Sequence, residues 1–318
     1  MRVVVAEWMW DEAVARLRSS CDVLYDPDLW RDQPALREAL EDAAALVVRN
    51  QTPVDGRLLD AGPRLCVVGR LGTGLDNVDT RALAQRGIRL VYAPGANAVA
   101  TAEFTLLLAL ALARRLAAAA QAGRTGTWTR AELVGHDLAG ATLGVLGLGR
   151  IGTLVARRAR ALGMDVVASH PRRQSDDPEL REAGVHLVPL DAMLRSADII
   201  TLHVPLVPET RHIVGRRELA LMKPGAVLVN TARGGLLDEA ALAEALEDGW
   251  IAGAALDVRE LEPPPPPDRL GGAPNVLLTP HIAGLSAESQ RAACLRVAEE
   301  IIAALWERQV PAMVGGAR

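Results

Sequence analysis

The chain has 318 residues, half of them hydrophobic, and a formal charge of −4 from 35 Lys+Arg against 39 Asp+Glu. That is long enough for two ordinary domains, each with its own core, and the near-balance of charge leaves no basic run for a nucleic-acid backbone or an anionic membrane. The three cysteines, Cys21, Cys66 and Cys294, have no C-x-x-C spacing and cannot all pair with one another, which argues against a disulfide or zinc scaffold and for a reducing compartment, by default the cytoplasm.

The opening stretch MRVVVAEWMW is a short strand-like run that already carries Glu7, so neither a secretory h-region nor a membrane span is expected there. Apolar runs without polar alternation occupy 3–6, 46–48, 66–68, 142–146, 166–168, 199–203, 226–230, 253–256 and 276–278, separated by helical patterns. Such runs predict parallel strands buried on both faces, hence an α/β fold. The Ala/Leu-rich stretch 104–120 is interrupted by Arg114 and Arg115 and reads as a buried helix, not a membrane span, within a helix-like segment that begins at Thr101 and runs to Leu116. A Gly/Thr-rich AGRTGTW follows, and from Thr142 a glycine-rich strand–turn–helix opens a second β-α-β series that reaches about His281. EPPPPPD, 262–268, reads as a rigid polyproline loop. The stretch 287–309 carries helical apolar spacing at Ala293, Val297, Ile301 and Leu305.

TLGVLGLGRIG holds Gly147-x-Gly149-x-x-Gly152 between an apolar strand and a helical run. The first glycine allows a tight turn, the second a close approach of backbone to a pyrophosphate, the third close helix–strand packing. Helix N–H groups are left to receive the anion, so the motif predicts dinucleotide binding. The next strand runs into ASHPRRQ, where an acidic residue on the ribose hydroxyls would specify NAD. Ser169, His170, Arg172 and Arg173 stand there instead, and the basic pair predicts NADP as the preferred form, with NAD the alternative.

Three later segments, NTARGGLLDEAAL, ALDVRELEPPP and LTPHIAG, each follow an apolar strand, where ligands of an open α/β sheet lie. An Arg, a Glu and a His converging there suit reduction of a 2-oxo acid. Arg233 would fork onto the carboxylate and polarise the carbonyl, His281 would deliver the proton, and Glu262 would hold the imidazole protonated and oriented. No histidine pair has metal-ligand spacing.

With these motifs, and with GRLGTGLDNVD (69–79), GANAVATAEFTLLLALA (95–111) and HVPLVPETRHIVG (203–215), the sequence resembles the D-isomer-specific 2-hydroxyacid dehydrogenase family over essentially its whole length. The resemblance implies two Rossmann-like doubly wound parallel-sheet domains, a cofactor domain at 99–284 inserted into a discontinuous substrate domain formed by 1–98 and 285–318, and a homodimer made through the cofactor domain. It implies that Arg233, Glu262 and His281 are catalytic, and that backbone at Thr73 and Gly74 receives the substrate carboxylate. For the cofactor it points to Arg150, Ile151, Val204, Pro205, Thr231, Ala232, Asp257 and Gly284.

Arg70 precedes the LGTG loop, where relatives acting on a phosphorylated acid carry a basic residue. It predicts a small 2-hydroxy or 2-oxo acid with a second anionic group, of phosphoglycerate, sulfolactate or phosphonopyruvate type; the alternative is a hydroxypyruvate or glyoxylate reductase. A cofactor-sensing, corepressor-like interaction protein is the reading from a different class. A formate dehydrogenase is disfavoured, since those enzymes carry Gln where this chain has Glu262. Arg259 stands where many relatives have an apolar residue, and is expected either at the surface or adding positive charge to the active-site rim. The sequence ends soon after its last helix, so no C-terminal regulatory domain is expected.

Overall fold

Val-, Ile- and Leu-rich runs have no polar face to turn to water. In the structure, a computed structural model that describes residues 1–170, 178–182, 184–273 and 275–309, they form sheets covered on both sides. The chain divides into two units, one of Met1–Asn97 with the segment from Leu285, the other of Ala98–Gly284.

The first unit is built on β1 (Arg2–Val5), β2 (Asp22–Tyr25), β3 (Ala43–Val48), β4 (Val67–Arg70) and β5 (Arg89–Tyr92), all parallel, in the order β2-β1-β3-β4-β5. Successive side chains alternate between the faces. Val3, Val5, Ala45 and Val47 pack with Val297, Ile301 and Leu305 of the helix Ala287–Gln309, while Val4, Leu46 and Val48 pack with Leu36, Leu40 and Leu59. Each Val, Leu or Ile buried in this way contributes about 1.5–3 kcal/mol. The apolar stripe of the terminal helix is therefore consumed in completing this core.

The second unit holds β6 (Thr142–Leu146), β7 (Asp165–Ser169), β8 (Val185–Leu187), β9 (Ile199–Leu202), β10 (Val227–Asn230), β11 (Gly253–Leu256) and β12 (Val276–Leu278). They are parallel, in the order β12-β11-β10-β9-β6-β7-β8. The strand order reverses between β6 and β9, and an open α/β sheet binds ligands beyond the carboxyl ends of its strands at such a switch point. The loops leaving β6, β9, β10, β11 and β12 all emerge at that edge.

β2, β5 and β8 have no counterpart among the apolar runs. Each is a short edge strand, and DVLY, RLVY and VHL mix polar with apolar residues because one side of each is open. The helix expected near 101–116 is Ala98–Ala113, separated by Arg115 (φ 50°) from a second helix, Leu116–Thr125. It is buried on one side only: Ala102, Leu106, Ala109 and Leu112 face the core, whereas Val99, Leu107 and Leu110 are exposed. Among the described residues no helix is long and apolar enough to cross a membrane.

Candidate active site

The glycine turn after β6 divides its three glycines by function. Gly147 has φ 100°, and a Cβ there would lie 2.8 Å from the His203 carbonyl, so only glycine lets the turn pass the strand end of β9. A Cβ on Gly152 would collide with the Gly147 carbonyl oxygen, whereas one on Gly149 would meet nothing within 4 Å. Gly149 is the N-cap of the helix Arg150–Ala161 and makes no side-chain cap hydrogen bond to the first turn. An open cradle beside an uncapped helix N-terminus fits the pyrophosphate of a dinucleotide.

Around this cradle, Arg150 is exposed, Ile151 half-buried, Val204 buried and Pro205 exposed. The His203 ring is neutral, burial pushing its pKa down to about 4, and its buried Nε2 has no hydrogen-bond partner among the described residues. Ser169 ends β7 and accepts the Gly147 N–H through its carbonyl at 2.9 Å; His170 follows, half-buried. Arg172 and Arg173 lie outside the described residues.

The Arg, Glu and His stand on three loops from neighbouring strands of the same unit. Arg233 follows β10, in a turn shaped by Asn230, whose side chain accepts the Ala232 N–H at 3.0 Å and donates to the Arg233 carbonyl at 2.9 Å. Thr231 is buried and its hydroxyl meets that of Thr105 at 2.8 Å. Asp257, at the end of β11, is buried and its carboxylate accepts the Thr279 hydroxyl at 2.6 Å and the N–H groups of Ile282 and Ala283 at 2.8 and 2.7 Å. These bonds organise the loop after β12, in which His281 sits at φ 57° and donates its own N–H to the Asp257 carbonyl at 2.8 Å. A left-handed conformation at a non-glycine residue is held only where its surroundings dictate it. Gly284 closes this loop.

His281 Nδ1 lies 2.7 Å from Glu262 Oε2, and Glu262 Oε1 accepts the Arg259 N–H at 3.0 Å. The hydrogen bond to Glu262 raises the His281 pKa against partial burial; the charges of Glu262 and Asp257 add to the rise and Arg233 opposes it. Glu262 moves the other way. Partial burial pushes its carboxyl up, but the His281 and Arg259 hydrogen bonds, with the charges of His281 and Arg233, hold it below the ordinary value. The pair is thus poised as imidazolium and carboxylate, with the Arg233 charge felt by both.

Arg259 corrects the expectation made for it. Its side chain is 9% exposed and bound to Glu239 and Asp268, so it is neither a surface residue nor a net positive charge at a rim.

In the first unit, Arg70 ends β4 half-buried, and its guanidinium occupies the space that a Cβ on Gly72 would take. Thr73 donates its hydroxyl to Ala93 and Asn97 oxygens at 3.2 and 2.9 Å, with Gly74 beside it. Sequence reasoning missed the neighbouring loop of Arg49 to Thr52. Glu7 is buried and its carboxylate accepts all four backbone N–H groups of that loop, at 2.8 to 3.2 Å. Arg49 stacks 5.1 Å from the Trp8 ring and donates to Gln290 at 2.5 Å, and burial lowers its pKa. The only available signal was an acidic residue at the end of an apolar strand. Among the described residues, no group of three or more His, Cys, Asp or Glu side chains could hold a metal ion.

Residues 106–283 match the family model described as D-isomer specific 2-hydroxyacid dehydrogenase, NAD binding domain. The D-3-phosphoglycerate dehydrogenase of Archaeoglobus fulgidus is 43% identical over 303 residues, 95% of this chain but 57% of that protein. The glyoxylate reductase of Korarchaeum cryptofilum is 41% identical over 288 residues, 88% of this chain and 86% of that protein. Among solved structures, the TT0316 protein of Thermus thermophilus superposes with a TM-score of 0.89 at 38% identity, covering 96% of this chain and 97% of that one.

The contrast between two glycines is testable. Gly149→Ala, whose methyl enters open space, is expected to leave the thermal midpoint within a few degrees of wild type while weakening nicotinamide-dinucleotide binding in a fluorescence titration at least tenfold. Gly152→Ala is expected to destabilise the fold itself, by about 1–3 kcal/mol of overpacking. Equal dinucleotide affinity for Gly149→Ala and wild type contradicts the cradle.

Proposed function

This chain belongs to the D-isomer specific 2-hydroxyacid dehydrogenase family, and we propose that it is an oxidoreductase interconverting a small D-2-hydroxy acid and its 2-oxo acid with a nicotinamide cofactor. The observation that carries this reading is the His281–Glu262 pair, 2.7 Å apart with its protonation states polarised, on the same sheet edge as Arg233 and the glycine cradle. A nicotinamide bound there supplies or accepts the hydride at the 2-carbon. Arg233 forks onto the carboxylate and polarises the oxygen, His281 gives that oxygen a proton in reduction and takes it back in oxidation, and Glu262 keeps the imidazolium oriented.

For the dinucleotide we assign Gly147, Gly149, Arg150, Ile151 and Gly152 to the pyrophosphate, and Ser169, His170, Arg172 and Arg173 to the adenosine ribose. Val204, Pro205, Thr231, Ala232, Asp257 and Gly284 take the remaining cofactor contacts. The two arginines favour NADP over NAD on sequence grounds.

Thr73 and Gly74 are assigned to the substrate carboxylate and Arg70 to a second anionic group. Arg49 supports a dianionic substrate independently. It is a partly desolvated guanidinium that no carboxylate among the described residues hydrogen-bonds, since Glu7 is taken up by backbone N–H groups. The name of the phosphoglycerate dehydrogenase relative agrees with this reading, while that of the glyoxylate reductase relative favours a monoanionic substrate. A homodimer is proposed through the second unit. Val99, Leu107, Leu110, Leu116, Trp128 and Val134 are its exposed large apolar residues between 99 and 134, and burying them against a second copy would remove them from water.

Three measurements test this function. Equilibrium titration is expected to give at least tenfold tighter binding of NADPH than NADH, the effect of one arginine–phosphate contact of about 1.5–3 kcal/mol; equal affinities contradict the NADP assignment. In reduction of a 2-oxo acid panel, which needs protonated His281, kcat/KM is expected to persist above the ordinary histidine value and fall as pH rises through the raised pKa. Oxidation, which needs the neutral ring, rises over the same window. His281→Gln is expected to lose about 10²- to 10⁴-fold in turnover, and retention of most of it refutes the assignment.

A further inference from the structure

We propose that Arg259, with Glu239 and Asp268, is a positioning clamp that fixes Glu262 and Arg233 against His281. The inference rests on the proposed acid–base role of His281 and Glu262. Arg259 Nε and Nη2 donate to the two oxygens of Glu239 at 3.1 and 2.9 Å, while Nη1 and Nη2 donate to those of Asp268 at 2.8 and 2.8 Å. One planar guanidinium thus holds two carboxylates by paired bonds, a geometry that the single ammonium of lysine cannot reproduce.

What the clamp grips is the loop that carries Glu262. Arg259 and Asp268 are its two ends, nine residues apart, and Glu239 opens the helix Glu239–Glu247. Glu239 Oε1 also accepts the Glu260 N–H at 2.6 Å. The Arg259–Glu260 peptide also fills the position of a Cβ on Gly234, so the residue after Arg233 packs its backbone directly against the clamped peptide. The Arg259 N–H then donates to Glu262, and Glu262 to His281 is the next link. The two peptides that flank Arg259 are thus in contact, one with the backbone behind Arg233 and the other with the carboxylate that orients His281.

A buried ion cluster is weak evidence for stability, because desolvation offsets its attraction. Geometry gives this one a use. Glu262 and His281 have side chains 40% and 50% exposed, so water competes for both, while the three clamp side chains are 9%, 19% and 26% exposed. The less exposed cluster supplies the rigidity that the half-exposed pair lacks. The charges bearing on His281 are Glu262, Asp257 and Arg233, and Glu260, the outer neighbour of the clamped peptide, is itself bound by Arg211 and His212 at 2.5 and 2.8 Å.

Arg259→Lys keeps the charge and removes the fork. It is expected to lower kcat for 2-oxo acid reduction by about 10- to 100-fold, the usual consequence of slight misplacement of reacting groups, with cofactor affinity unchanged. The alkaline fall of the reduction profile is expected to move down toward the ordinary histidine value, because a loosened Glu262 supports the imidazolium less. Glu239→Gln, which keeps the volume and an acceptor for the Glu260 N–H, is measured beside it and shows the same pH displacement if Arg259→Lys fails to fold. Wild-type kcat and pH profile in the variants overturn the clamp, as does an activity loss that only follows the fraction unfolded. His281→Gln in the same assay separates the two failures. If it is inactive while the clamp variants are normal, only the clamp is wrong; if it retains turnover, the acid–base reading falls and the clamp with it.

Discussion

A hydrogen bond of 2.7 Å between two half-exposed side chains on different loops is not something a chain holds by that bond alone. In water an exposed ion pair of this kind contributes about 0–1 kcal/mol, too little to order two loops. The His281–Glu262 contact exists because each loop is fixed from behind by a carboxylate in a more protected setting. Asp257 gathers the N–H groups and hydroxyl of the His281 loop, and Glu239 with Asp268 gathers Arg259 and the Glu262 loop. The left-handed backbone at His281 is the cost of aiming the imidazole, and the Asp257 bonds are what hold it there.

The same unit meets a second demand with a different device. The cradle needs backbone without side chains, and the three glycines meet it separately: a turn, an open approach, and a close helix–strand contact. Both devices lie at the carboxyl ends of parallel strands because a doubly wound sheet sends its ligand-facing loops to one edge, and the reversal between β6 and β9 opens room there. The first unit repeats the logic in Glu7, whose carboxylate shapes the Arg49 loop by collecting its backbone N–H groups. In the loops of His281, Glu262 and Arg49 alike a carboxylate sets backbone geometry, buried at Asp257 and Glu7 and half-buried at Glu239.

Much of this was legible in the sequence, for physical reasons that also mark where it stopped. Strands buried on both faces announce themselves by unbroken apolar runs, and the terminal helix by its stripe at 293, 297, 301 and 305. Edge strands such as DVLY do not, because one side faces water. Gly147, Gly149 and Gly152 were readable because spacing alone carries the turn. That Arg233, Glu262 and His281 stand on loops after neighbouring strands was readable from the apolar runs before them. The partners that aim them were not: Arg259 meets Glu239 twenty residues away and Asp268 nine away, and nothing in a linear pattern says that an arginine has two carboxylates waiting. Asn230 and Thr105 are similar, since their roles depend on which loop folds over which strand end.

The central claim is that Glu262 holds His281 as an imidazolium beyond the pH at which a free histidine loses its proton. The most direct test is an NMR titration of the His281 ring in the wild-type protein and in Glu262→Gln. The account predicts a wild-type pKa above the ordinary value of about 6.5 and a clear fall in the variant. A His281 that titrates at or below the ordinary value, or that is indifferent to the loss of the Glu262 charge, contradicts it.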